Sequence, residues 1–131
     1  MRNLDPASLD AAALLEAATA ATNRSVRAWI LRLLRWGAGA SNSETLTGLL
    51  ETIGLRLPRA TVEIQGQWLA ARGYVRIKQF EHVSVYELTR LGDEVGRGVV
   101  VDPEVTPIRL ADVEDDEAVL AAVRAPPRPF G

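Results

Sequence analysis

Residues 57–92, LPRATVEIQGQWLAARGYVRIKQFEHVSVYELTRLG, decide the reading of this chain. Pro58 suits the first turn of a helix, whose leading N–H groups have no intrahelical partner, and Gly73 suits the left-handed residue that follows a helix end. With residues between them spaced 100° apart, Thr61, Val62, Ile64, Trp68 and Leu69 cover one broad arc, and Arg59, Glu63, Gln67 and Ala70 cover the other. The second arc is expected to face outward. Residues 74–79 and 83–88 are rich in β-branched and aromatic side chains, as strands are, with Phe80-Glu81-His82 near their connection. Ile77 and Val85 are expected on the half-buried side of this hairpin, alternating with Arg76, Lys78, Ser84 and Tyr86. Leu88-Thr89 then leads into another helix opened by Gly92.

Upstream, Leu46, Leu49, Leu50 and Ile53 recur at i, i+3, i+4 and i+7, an apolar stripe that Gly54 is placed to terminate. Ser41-Asn42-Ser43-Glu44 fits a capping box in which the Ser41 hydroxyl accepts from the Glu44 amide. Residues 25–36 set Val26, Trp29, Ile30, Leu33 and Leu34 opposite Arg24, Arg27, Arg32 and Arg35, with Leu31 alone among the arginines, so a solvated basic face is expected. Asp5-Pro6 suits a separate, earlier helix through residues 11–21. Its apolar positions are mostly alanine, which favours helix but buries little area, so this segment needs another surface to pack against.

At 131 residues and 47% hydrophobic, the chain can build one core. It has no run of about 18 apolar residues, and no basic segment followed by an apolar one at the N-terminus, so a soluble cytoplasmic protein is expected. Zero cysteines exclude disulfides, thiolate metal sites and a cysteine nucleophile. The net charge of −2 is unevenly placed. Residues 1–23 carry one base and three acids, residues 24–90 ten and five, and residues 91–131 four and nine. A basic block of +5 between acidic flanks of −2 and −5 points to a polyanionic partner.

The order helix, helix, hairpin resembles the winged-helix domains of the MarR and ArsR families. The likeness is carried by Thr61-Val62, Leu69, Arg72-Gly73-Tyr74-Val75 and Leu88-Thr89-Arg90-Leu91-Gly92, and covers roughly residues 25–95. It implies a homodimeric domain binding double-stranded DNA, with Arg59, Thr61, Glu63, Ile64 and Gln67 facing the groove. Isoleucine and glutamate stand where those families commonly have polar or basic readers, and the metal-sensing cysteine motif of the ArsR repressors is missing, so metal response is not implied. The stretch from Thr89 through Arg97-Gly98-Val99 to Pro103 and Glu104-Val105 also looks like small winged-helix proteins encoded among the head and packaging genes of Mu-like phages and prophages. That likeness implies phage DNA handling or contact with another phage protein.

The side chains themselves suit such contacts. Arg59 can meet a phosphate or guanine, Gln67 can pair two hydrogen bonds with adenine, and Glu63 could only accept from a cytosine amino group. On the hairpin, phosphate contacts would fall to Arg76, Lys78 and His82. Beyond Val101, Asp102-Pro103 reads as a turn, residues 105–109 as extended, and Asp112 as the cap of a last helix reaching Arg124, with Val113, Leu120 and Val123 apolar. The carboxylates Glu114 to Glu117 lack calcium-loop spacing, and there is no phosphate-cradling loop, zinc ligand set or Ser/His/acid arrangement. Neither an enzyme nor a cofactor is expected.

The expected fold is therefore mainly α with a small β-hairpin, a winged helix-turn-helix with N- and C-terminal extensions. Residues 1–23 form a helical arm, 24–98 the winged-helix domain, and 99–131 an extension with an acidic helix and a proline-rich tail. The expected function is DNA binding, as a transcriptional regulator or phage DNA-handling factor. The alternative is a protein-interaction or assembly module on the same scaffold. A homodimer is expected through Leu9, Leu14, Leu15, Leu120 and Val123.

Overall fold

No proline or glycine interrupts residues 7–36, and α1 (Pro6–Trp36) runs through them unbroken. The structure, a computed structural model, describes residues 6–106. The two helices expected on either side of residues 22–24 are thus one, because nothing there can stop a helix. Burial nonetheless changes at that point. Residues 10–22 are exposed on every face, while Val26, Ile30, Leu33 and Leu34 are buried, so the division expected at residues 23 and 24 falls inside α1 as a change of surroundings.

Gly37-Ala38-Gly39 reverses the chain, with Ala38 and Gly39 at φ 64° and 93°. A short strand not expected from sequence follows, β1 (Ala40–Asn42). Then come α2 (Ser43–Thr52), α3 (Arg59–Ala71), β2 (Val75–Phe80), β3 (Val83–Leu88) and α4 (Arg90–Gly96). The described chain is mainly helical with one small antiparallel sheet of order β1-β3-β2. Because Ser41 pairs with Tyr86 inside that sheet, the cap of α2 falls to the next residue: Asn42 Oδ1 accepts from the Thr45 amide at 2.7 Å. A single Asn42 cap thus stands in place of the expected Ser41–Glu44 box, one residue on.

Helix ends follow their residues. Gly54 and Gly73 lie just past α2 and α3 at φ 96° and 79°, where a side chain would be strained. Gly92 in α4 has a different reason: a Cβ built there would sit 1.9 Å from the Tyr74 carbonyl oxygen. This close approach places Thr89, whose hydroxyl donates to the Gly73 carbonyl at 2.7 Å and accepts from the Gly92 amide at 3.0 Å.

The core gathers Leu46 and Leu50 of α2, Val62 and Leu69 of α3, Val75 and Tyr86 of the sheet, Val95 of α4 and Val105 around α1. Each such side chain contributes roughly 1.5–3 kcal/mol on burial. Two expectations change here. Only Leu46 and Leu50 of the α2 stripe are buried; Leu49 and Ile53 are exposed. Leu31 is not stranded among solvated arginines, since α4 covers that side: Gly96 leaves room for it, and Arg35 donates to Asp93 at 2.8 Å.

The hairpin register corrects a third expectation. Ile77 lies opposite Tyr86, and Lys78 opposite Val85. Residues directly opposite share a face, so Tyr86 is the buried partner of Ile77 and Val85 shares the other face with Arg76 and Lys78. Gly66 of α3 admits the Tyr86 ring: a Cβ there would lie 2.4 Å from it.

Residues 99–106, expected to begin a separate extension, return to the body. Val105 is buried, and the Thr106 amide donates to the Arg24 carbonyl at 3.2 Å. The expected helix over residues 112–124 lies outside the described residues.

Candidate nucleic-acid interface

Because Val62 and Leu69 turn inward, α3 presents Arg59, Glu63, Ile64 and Gln67 away from the core. Ile64 is 62% exposed, although the helical wheel put it on the inner arc; the inner places are taken by Gln65 and Gly66. Gln67 is exposed and Thr61 half-buried. The hairpin follows directly from α3 and carries Arg76, Lys78 and His82 on exposed positions. Phe80 and Val83, paired at its tip, are exposed as well.

The cations of this surface are mostly engaged. Arg59 Nε donates to Glu63 Oε1 at 3.0 Å and to the buried Ser43 hydroxyl at 3.2 Å, while that hydroxyl donates to Glu63 at 3.3 Å. Glu63, awkward as a reader of bases, thereby acts as a tie between α2 and α3. Lys78 Nζ lies 3.3 Å from Glu87 across the hairpin. Among the described residues, Arg76 makes no ion pair.

Behind α3 lies a polar cluster that sequence reading missed. Two guanidinium groups lie over the Trp68 ring, Arg27 at 3.9 Å and Arg72 at 4.4 Å from its centroid. Arg27 is buried and donates to Gln65 Oε1 at 2.8 Å and to the Glu104 carbonyl at 3.0 Å. Asp102 accepts from the Tyr74 hydroxyl and from Arg72 at 3.2 Å, and takes the Glu104 amide at 2.8 Å. Burial pushes the Asp102 carboxyl up, but these hydrogen bonds and the charges of Arg72 and Arg27 more than reverse that and leave it below the ordinary carboxylate range. Burial, reinforced by the hydrogen bond to Asp102, raises Tyr74, and burial lowers Arg27 against the opposing pull of Glu104. The signal available in sequence was the Trp68/Arg72 spacing of one helical turn; partners more than 25 residues away, such as Asp102, carry none.

These contacts also rearrange the charge expected from position along the chain. Asp93, Glu94, Asp102 and Glu104 of the acidic stretch pair with Arg35, Arg90, Arg72 and Arg27 of the basic block. Four of the ten cations of that block are thus paired with acids from the stretch that follows it.

Of the residues expected at a dimer contact, Leu14 and Leu15 are each 69% exposed on α1. The side chain of Leu9, and Leu120 and Val123, lie outside the described residues. No helix among the described residues is long and apolar enough to cross a membrane. Comparison with protein-family models, with curated proteins and with solved structures finds no match to this chain.

Proposed function

We propose that the chain is a winged-helix protein that binds double-stranded DNA in the cytoplasm, as a regulator of transcription or a DNA-handling factor. The observation that carries this reading is the outward face of α3 set beside an exposed hairpin. A helix is the right width for the major groove, and a hairpin next to it reaches the flanking backbone. Gln67 would bond adenine and Ile64 would touch a thymine methyl, while Arg76 would meet phosphate. Arg59, held by Glu63, stands back from base reading.

With its cations largely engaged, the face should release few counterions, so affinity should fall with salt along a shallow slope of about 2–4 phosphate equivalents. Fluorescence anisotropy with duplex DNA at low salt tests this. Replacing Arg76 and Lys78 together by Ala should weaken binding about tenfold and flatten the slope; unchanged affinity would remove the hairpin from the contact.

A second reading, a protein-interaction module, draws on Ile64, Phe80 and Val83, apolar side chains exposed on the same surface. A partner recovered with the chain after nuclease treatment, and lost with Ile64→Glu, would favour it.

A further inference from the structure

From residue 10 to residue 22, every side chain of α1 is exposed, Leu14 and Leu15 at 69% each. A helical stretch of that length is marginal in water on its own, even when rich in alanine. The stretch is also patterned. Ala11, Leu14, Ala18, Ala21 and Ser25 recur at alternating steps of three and four, the seam of a two-helix coil, and small residues on such a seam let two backbones approach closely. Asp10, Ala17 and Arg24 stand seven apart along one flank of the same seam.

We propose that this arm pairs antiparallel with the arm of a second copy of the chain. One register satisfies the seam, the flank and the length together. Leu14 of each copy lies against Ala18 of the other, a large side chain over a small one, and Ala11 against Ala21. In an antiparallel pair like flanks face each other, so Asp10 of each copy comes beside Arg24 of the other. In a parallel pair unlike flanks face each other, which sets Asp10 beside Leu15 of the partner and brings no aspartate to Arg24. Among the described residues, Arg24 makes no ion pair, and Asp10 is exposed. On the opposite flank the two Leu15 side chains meet near the twofold axis. The helix begins at Pro6 and burial resumes at Val26, so in this register the tip of each arm ends where the body of the other begins. The pairing needs no DNA and is independent of the function proposed above.

Sedimentation equilibrium on the full chain at micromolar concentration tests the proposal. The expected mass is that of two chains. Asp10→Arg and Arg24→Glu should each weaken the dimer about tenfold, since each turns two attractive flank pairs into repulsive ones. The double variant Asp10→Arg/Arg24→Glu, and an equimolar mixture of the two single variants, should both restore it; that rescue separates pairing from any effect on folding. A single-chain mass across this range, as when residues 107–131 of the same chain cover the arm from its base at Arg24, would overturn the proposal. So would single variants without effect, or a double variant no tighter than either.

Discussion

Asp102 is the residue on which the return of the chain to its body turns. Its carboxylate takes the Tyr74 hydroxyl, Arg72 and the Glu104 amide at once, with its side chain 5% exposed. Removing it leaves a buried tyrosine hydroxyl without an acceptor and frees residues 102–106 from α3. Asp102→Ala should therefore cost about 2–4 kcal/mol in urea unfolding. The pH dependence follows from the depressed pKa. The contribution is complete above the unfolded aspartate value, near about 4, and is lost as pH falls through the lower folded value. The urea midpoint of the native chain should therefore drop below about pH 4 by more than that of Asp102→Asn. None of this was legible in the sequence. Asp102-Pro103 reads correctly as a turn, but a turn residue does not announce which distant arginine and tyrosine it will meet.

At the scale of elements, the hairpin separates what pattern can say from what it cannot. The two strands follow from composition, β3 with its expected bounds and β2 one residue later than the expected 74–79, yet which face of β3 is buried depends on a one-residue choice at the turn. Both Val85 and Tyr86 could fill the inner place by hydrophobicity. The selection comes from Gly66 of α3, whose missing side chain makes room for an aromatic ring, and from β1, which pairs Ser41 with Tyr86. The turn itself holds Glu81 at φ 55°, a conformation glycine adopts without the Cβ penalty. Glu81→Gly should raise stability by about 0.5–1 kcal/mol, seen as a thermal midpoint higher by a few degrees. The α3 boundaries were readable for a plainer reason: Pro58 and Gly73 act locally, and no tertiary contact has to be known to place them.

For the whole molecule, the instructive quantity is charge. Summed along the sequence, the central block is strongly basic; in the folded chain, acids from residues 93–104 lie against it. In the proposed complex, electrostatic attraction for a polyanion would rest on a few side chains, Arg76 foremost, and contact by shape and by Gln67 and Ile64 would have to do the rest. Continuity of α1 was hidden for a similar reason. Its two halves differ in surroundings rather than in helix-forming character, so a change of amphipathic pattern at residues 22–24 reads like a break. In the proposed complex the outward face of α3 and the hairpin together receive a duplex. Backbone amide chemical shifts of the full chain, followed by NMR as a short duplex is added at low salt, test it most directly. Shifts concentrated at Ile64, Gln67, Arg76 and their neighbours are expected; no shifts, or shifts confined to the α1 arm and the side of α4 away from α3, would contradict the proposed contact.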